Sequence, residues 1–316
     1  MRILLSGIAG DIAESISEII KQNSDQIEIV GSDTSPIKVN YNLIDKFIAS
    51  PPANSEIYFE WLSQVLQDQK FNFFIPTSEP ELEFLSKLNA AKLISLESKV
   101  QIIWAGREII QQFMSKTRTS KFLQSLNLDT PKVYENYPKN QEIDFPVIVK
   151  PDKGRGSRDI FLCHNKIQLD AALVFVNAPI IQEYVSDIDS EYTCGVFRDS
   201  KQNLFVITFR RYLSGGQTNW VELVEDHEIN RISEIIADNI NLNGSINIQL
   251  RKQGKRIVIF EVNPRFSSTV LFRSFFGFED LLWSLGLKQP NKDFNGVKNS
   301  RVRAKLRKRI ELTTND

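Results

Sequence analysis

Cysteine, histidine and net charge are all scarce in this chain of 316 residues. It has two cysteines, Cys163 and Cys194, and two histidines, and its 39 lysines and arginines are balanced by 39 aspartates and glutamates. Two isolated cysteines argue against a disulfide scaffold and against a paired-cysteine metal site. The balanced charge argues against nucleic acid as the main partner. Because no apolar run approaches the roughly 20 residues of a membrane span, we expect a cytoplasmic protein with no nucleic-acid or membrane partner.

The most informative segment is a polar cluster that follows an apolar run. Residues 256–260 predict a buried strand, and Glu261, Asn263 and Arg265 then occupy every second position. Residues two apart lie on the same face of a strand. A carboxylate and an amide oxygen on one face suit Mg²⁺, and an arginine beside them can reach a phosphate oxygen. The alternative is an exposed strand end with ordinary polar residues.

Another predicted strand lies just before this one along the chain. Residues 244–250 alternate in polarity and carry Gln249 on the same face as Asn247. The turn at residues 252–255 contains a glycine, so the two segments predict a β-hairpin.

A lysine and a loop with two glycines stand further upstream. A short apolar strand ends at Lys150 and leads into a basic loop that contains Gly154, Arg155, Gly156 and Ser157. Glycines allow backbone N–H groups to approach a phosphate closely, and basic side chains neutralise its charge. A lysine at a strand end is otherwise most often solvated.

These motifs, in this order, resemble the ATP-grasp superfamily, in particular the branch of the carbamoyl-phosphate-synthetase large chain. The resemblance covers roughly residues 70–287. It implies that Gln249, Glu261 and Asn263 hold two Mg²⁺ ions, with Mn²⁺ as an alternative metal, and that Arg265 clamps a phosphate. It further implies that Lys150 contacts the α-phosphate of ATP and that the glycine loop after it closes over the triphosphate.

The resemblance also assigns the contacts to adenosine. Gln182, Glu183, Tyr184 and Val185 correspond to a hinge whose backbone binds the adenine edge, and Glu191 corresponds to the acid that binds the ribose hydroxyls.

Further cations are assigned in the same way. Lys116 stands where the family contacts a nucleotide phosphate, although this chain has Ser115 where an acidic residue is common. Arg210 or Arg211 corresponds to an arginine that faces the carboxylate or its acyl phosphate. With Arg265, these two arginines are the catalytic candidates.

The N-terminal residues predict a Rossmann-like lobe. Arg2–Ser6 is a short strand, a turn with Gly7 and Gly10 follows, and Asp11–Asn23 is an amphipathic helix before a strand at residues 26–31. The third glycine of the dinucleotide-binding motif is missing, so we expect a packing lobe rather than an NAD site.

Further along this lobe, a strand at residues 71–75 precedes a helix that Ser78 is predicted to cap. Glu79 and Glu81 thus fall at the carboxyl end of a strand, where open α/β sheets bind ligands.

The predicted fold class is α/β and α+β, with a Rossmann-like lobe at residues 1–112 and a two-lobed ATP-grasp domain at residues 113–290. The small lobe spans about residues 116–184 and the large lobe about 185–290. Residues 291–316 predict a basic strand or tail, since basic and apolar residues alternate there. It is either a solvated strand face or a basic surface for an anionic substrate such as a nucleotide sugar.

The sequence therefore predicts an ATP-dependent carboxylate–amine ligase that uses ATP and Mg²⁺. A carboxylate would be phosphorylated to an acyl phosphate, and an amine would attack it to release phosphate. The expected partners are a small-molecule carboxylate and amine, with a homodimer as a candidate assembly. A non-catalytic ATP-binding regulatory protein and a carboxylate kinase of the same fold stay open as alternatives.

Overall fold

The computed structural model describes residues 1–135, 137, 142–154, 159–186, 191–214, 217–292 and 301–303. Within these residues the chain forms three sheets, of five, three and six strands. None of the helices described is both long enough and apolar enough to cross a membrane.

The first sheet is parallel and follows the order β3-β2-β1-β4-β5. Its strands are β1 (Arg2–Ser6), β2 (Glu28–Asp33), β3 (Lys46–Ala49), β4 (Phe73–Ile75) and β5 (Gln101–Ile102). The helices of this part are α1 (Asp11–Asn23), α2 (Tyr58–Gln69), α3 (Glu79–Lys87), α4 (Ala90–Glu97) and α5 (Arg107–Phe113). This arrangement confirms the Rossmann-like prediction. Consecutive strands run outward on either side of β1, so the gap between β1 and β4 is the point at which α/β sheets open a crevice.

Side chains of the protein itself contact the turn after β1. Gly7 has φ +64°, which favours glycine, and an added Cβ would lie 2.7 Å from Thr77 Oγ1. The backbone N–H of Ala9 donates to Asp33 Oδ2 at 3.1 Å. The carboxylate of Asp33 thus accepts a backbone N–H of this turn. In a dinucleotide-binding lobe, the N–H groups of the corresponding turn would bind phosphate.

The second sheet has three antiparallel strands in the order β7-β6-β8. They are β6 (Val147–Pro151), β7 (Phe161–Cys163) and β8 (Pro179–Glu183), preceded along the chain by α6 (Lys116–Ser125) and interrupted by α7 (Lys166–Phe175). Buried Val147, Val149 and Leu169 form its core with the free thiol Cys163.

The third sheet is antiparallel and follows the order β13-β12-β9-β10-β11-β14. Its strands are β9 (Glu191–Arg198), β10 (Leu204–Ser214), β11 (Gln217–Val224), β12 (Gly244–Gln253), β13 (Arg256–Asn263) and β14 (Arg301–Arg303). The associated helices are α8 (His227–Asn239), α9 (Val270–Phe275) and α10 (Asp280–Ser284). The basic segment predicted near the C-terminus is described only over β14, which is the edge strand beside β11.

Alternation along β9 divides this sheet into two faces. Cys194 and Val196 pack against α8, in a core that also takes in Leu123 of α6. Helix α6 therefore packs with the third sheet, although the predicted small lobe began at residue 116. On the other face, Phe197 packs with the aromatic residues around α9 and α10, while Glu191 at the opposite end of the strand faces the cleft described next.

Candidate functional site

A cleft of about 1500 Å³ lies where the three sheets meet. The first sheet contributes the ends of β1 and β2 and the start of α3, the second sheet contributes β6 and β8, and the third sheet contributes β9, β10, β12 and β13. The predicted site residues that line it are Lys116, Lys150, Gly154, Gln182, Glu183, Val185, Glu191, Arg211, Gln249, Glu261, Asn263 and Arg265. Segments separated by more than a hundred residues are thus brought to one site.

The predicted metal ligands lie on the hairpin of β12 and β13. Gln249 is opposite Glu261 and Asn247 is opposite Asn263, with a register shift just after Gln249. The paired positions place all four side chains on one face of the sheet. No group of three or more His, Cys, Asp or Glu side chains suited to a metal occurs in the described part of the chain. One carboxylate with amide oxygens fits Mg²⁺ that is completed by phosphate oxygens.

Lys150 is a buried cation on the opposite side of the cleft. Its side chain belongs to β6, is 9% exposed and has no hydrogen-bond partner among the described residues. Burial lowers the pKa of Lys150 to about 8; Glu261 opposes this effect, and Lys116 and Arg251 add to it. A buried ammonium beside other cations and one carboxylate is suited to an anionic ligand.

Lys116 begins α6, whose N-cap is Ser115. Its Nζ donates to the carbonyl oxygens of Asp152 and Gly154, both at 3.3 Å. Lys116 is therefore fixed to the first residues of the predicted phosphate loop. The remaining loop residues assigned to the site, Arg155, Gly156 and Ser157, lie outside the described residues.

Glu191 lies at the start of β9 and is held by two arginines. Its Oε1 accepts from Arg211, with Nε at 2.7 Å, and its Oε2 accepts from Nε and Nη2 of Arg251, at 2.9 and 2.6 Å. Arg211 also donates to Gln249 Oε1 at 2.8 Å. The predicted ribose acid is thus connected to a predicted metal ligand through one guanidinium.

The two adjacent arginines of β10 have different surroundings. Arg211 lines the cleft, whereas Arg210 is not among its lining residues and lies 5.5 Å from the ring of Tyr212. Neighbouring residues of a strand face opposite sides of the sheet. Of the two arginines, Arg211 thus faces the cleft, and the assignment of Arg210 or Arg211 to the carboxylate stays a prediction.

Arg265 connects the third sheet to the first. Its Nη2 donates to Glu79 Oε1 at 3.1 Å, and its Nη1 donates to the carbonyl of Phe266 at 3.0 Å. The predicted phosphate clamp therefore lies at the border with the Rossmann-like part.

The predicted hinge begins within β8 and passes out of it. Gln182 is a buried strand residue, and Glu183 turns its carboxylate to Arg256 on the third sheet, at 2.6 Å. The carbonyl of Val185 accepts from Arg251 Nη1 at 2.5 Å, while its own N–H has no partner among the described residues. Tyr184 is absent from the described cleft lining. A backbone donor at Val185 is available to a ligand.

Two parts of the site were missed by the sequence analysis. Arg251 was not singled out, although its position two residues after Gln249 on the same strand could have indicated it. Glu81 was expected near a ligand, but not as a buried carboxylate that accepts from the hydroxyls of Ser6, Ser78 and Tyr58. Burial raises the pKa of Glu81, and these hydroxyl donors oppose that rise.

Comparison with known proteins identifies the central part of the chain. The model of a family described as "ATP-grasp domain" matches residues 113–269. This part of the chain is an ATP-grasp domain. It contains every site residue assigned above from the resemblance, and the resemblance to that superfamily is confirmed.

The relatives of this ATP-grasp domain are distant or match in part. The chain is 39% identical over 83 residues to a D-alanine–D-alanine ligase of Fusobacterium nucleatum, covering 26% of this chain and 28% of the ligase. It is 25% identical over 239 residues to the carbamoyl phosphate synthase large chain of Campylobacter jejuni, covering 69% of this chain and 22% of that one. The chain thus spans about a quarter of the length of these curated relatives.

Solved structures show the same fold beyond the ATP-grasp domain. The N5-carboxyaminoimidazole synthetase of Staphylococcus aureus, complexed with ADP, matches with a TM-score of 0.73 at 16% identity. The match covers 93% of this chain and 80% of the synthetase. The Rossmann-like part therefore belongs to the shared fold.

Proposed function

We propose that the protein is an ATP-dependent carboxylate–amine ligase that uses Mg²⁺. The observation that carries the proposal is the placement of Gln249, Glu261 and Asn263 across one cleft from the buried Lys150, within an ATP-grasp domain. Ligand oxygens suited to Mg²⁺ and a cation suited to phosphate thus face the same space. The partly matching D-alanine–D-alanine ligase supports formation of a C–N bond.

The chain's own residues would bind and orient the reactants. Lys150 and Lys116 would neutralise the phosphates, and the N–H of Val185 would bind the adenine edge. Arg265 and Arg211 would hold the transferred phosphoryl group and the acid. Gln249, Glu261 and Asn263 would hold Mg²⁺, which would supply positive charge to stabilise phosphoryl transfer to the carboxylate. We propose two ions, as the resemblance implies, with Mn²⁺ as an alternative to Mg²⁺.

Closure of the cleft would protect the activated acid. An acyl phosphate hydrolyses in water, so the amine must meet it in a closed site. The described start of the loop is held by Lys116, which donates to the carbonyl of Gly154, and by Lys153, which forms an ion pair with Glu83 of α3 at 2.7 Å. The acid and amine would enter between this loop and the Rossmann-like part, where Glu79 and Glu81 lie.

A hydroxylamine trap tests the proposal. The protein is incubated with ATP, Mg²⁺, hydroxylamine and a panel of carboxylic acids, and hydroxamate and ADP are measured. We expect equal amounts of both with the correct acid, since hydroxylamine replaces the amine and attacks the acyl phosphate.

Paired variants connect this activity to the cleft. Glu261→Gln removes the carboxylate of the hairpin and should abolish both products, whereas Glu234→Gln makes the same change on the exposed face of α8 and should leave them unaltered. ATP binding without ADP or hydroxamate from any acid would reject the ligase and favour the regulatory alternative. Hydroxamate that still forms when hydroxylamine is added only after the protein has been removed would favour the carboxylate kinase, because a kinase releases its acyl phosphate into solution.

A further inference from the structure

The carboxylate of Glu191 has no acceptor capacity left in this structure. An ionised carboxylate offers about four lone-pair sites, two on each oxygen. Oε1 accepts from Nε and Nη2 of Arg211, and Oε2 accepts from Nε and Nη2 of Arg251. Glu191 is 3% exposed, so these contacts are not shared with bulk water. A ribose hydroxyl can bind this acid only if one of the arginines leaves.

The two arginines differ in how firmly they are held. Arg251 also donates to the carbonyl of Val185 at 2.5 Å, and its guanidinium lies 5.5 Å from the ring of Phe260. The proposed reaction assigns no ligand to the carbonyl of Val185 or to the ring of Phe260. Glu191 is the group that Arg251 would share with the nucleotide. Arg251 can therefore remain on Oε2 of Glu191 while a nucleotide enters.

Arg211 loses both of its partners when the site fills. Its contacts are Oε1 of Glu191 and Oε1 of Gln249. The first oxygen is the proposed acceptor for ribose hydroxyls, and the second is a proposed ligand of Mg²⁺. Oε1 of Glu191 accepts two N–H donors of Arg211 and can accept a ribose hydroxyl only if they are withdrawn. Oε1 of Gln249 accepts one, and Mg²⁺ on that oxygen would repel the guanidinium beside it.

We propose that Arg211 exchanges its hydrogen-bond partners. In the empty site it donates to Glu191 and Gln249, and on binding of ATP and Mg²⁺ it is released towards the anionic reacting group. Arg251 is the positioning residue that keeps Glu191 in place during the exchange and fixes it to the hinge. This inference rests on the proposed function, and it assigns an order of events. The nucleotide and metal bind first, and the cation for the acid becomes available afterwards.

The exchange can be measured through binding alone. Titration calorimetry with Mg²⁺ gives the dissociation constants of ATP and of 2′,3′-dideoxy-ATP, and their ratio reports what the ribose hydroxyls contribute. In the wild-type protein this contribution is reduced because the hydroxyls must displace Arg211. In Arg211→Gln the competitor is gone, so the ratio should grow by about tenfold, the value of one charge-assisted hydrogen bond. Arg211→Lys, which has fewer donors, should give an intermediate ratio.

Two further variants control the measurement. Glu191→Gln should bring the ratio close to one, because the acceptor for the hydroxyls is weakened. Arg231→Gln removes the same charge from the exposed face of α8 and should match the wild-type ratio. Circular dichroism establishes that each variant is folded.

The outcomes separate this inference from the proposed function. A ratio in Arg211→Gln equal to that of the wild type would show that Arg211 does not compete with the ribose, and would overturn the inference while the ligase proposal stands. A wild-type protein that binds no ATP would overturn both.

Discussion

Replacement of Lys150 by methionine should make the empty protein more stable while it removes nucleotide binding. Burial lowers the pKa of Lys150 from its ordinary value of 10.5 to about 8. The difference between these two pKa values corresponds to a free-energy cost of roughly 3 kcal/mol for the buried charge, at about 1.4 kcal/mol per pKa unit. At pH 7 both the folded and the unfolded chain hold the proton, so the folded protein bears the full cost of a buried charge. Methionine fills a similar volume without that charge, and Lys150→Met should therefore raise the free energy of unfolding by about 2–3 kcal/mol.

The pH dependence has a definite sign. Between pH 8 and 10.5 the unfolded wild-type chain keeps the proton of Lys150 and the folded one loses it, so wild-type stability rises with pH across this window. The advantage of Lys150→Met should shrink over the same window and vanish above it. Urea unfolding at pH 7, 8.5 and 10 measures the difference in free energy of unfolding between Lys150→Met and the wild type. The control is Lys255→Met, at an exposed lysine of the β12–β13 turn, which should change that free energy little at any of these pH values. A Lys150→Met protein that is less stable than the wild type at pH 7 would refute the reasoning.

The remaining predictions concern packing and surface charge. Gly195→Ala should lower the free energy of unfolding by about 1–3 kcal/mol in urea, because an added Cβ would lie 2.4 Å from Cδ of the fully buried Arg273. Asp280→Asn should cost about 3–5 kcal/mol in the same assay, since it removes the carboxylate that lies 3.2 Å from Nη1 of Arg273; a loss below about 1 kcal/mol would show that the pair is not needed. Lys153→Ala should change stability by less than about 1 kcal/mol, because Lys153 itself is solvent-exposed in its ion pair with the partly buried Glu83, and a salt titration should reduce even that difference.

Local patterns predicted the elements that carry the site. The helix at Asp11–Asn23 and the strand at Arg2–Ser6 have the bounds that their periodicity indicated. The hairpin was also predicted; its second strand ends at Asn263 as expected, and its first strand is longer than expected and continues to Gln253. These features depend on neighbours in the chain, and a short turn leaves two strands little choice of partner.

Contacts between distant segments could not be predicted. Arg251 reaches Glu191 because β12 pairs with β9, and no local pattern specifies which strand lies beside β12. Ser78 stands at the predicted N-cap of α3, yet it makes no side-chain cap bond and donates to Glu81 at 2.6 Å. Serine stands at the helix end as expected, but its hydroxyl is oriented by donation to the buried carboxylate of Glu81 and not by accepting from the first N–H groups of the helix.

The cations of the cleft differ in what a phosphate must displace. Lys116 and Arg265 donate to carbonyl and carboxylate oxygens of the protein, and Arg211 donates to Glu191 and Gln249. When a phosphate binds to one of these three residues, the net free energy of binding is only the difference between the contact that forms and the contact that breaks. Lys150 has no such partner among the described residues, and its loss of solvation has already occurred on folding. The free energy that Lys150 costs the empty protein is therefore available when an anion binds, which is why stability and nucleotide affinity are opposed at this residue.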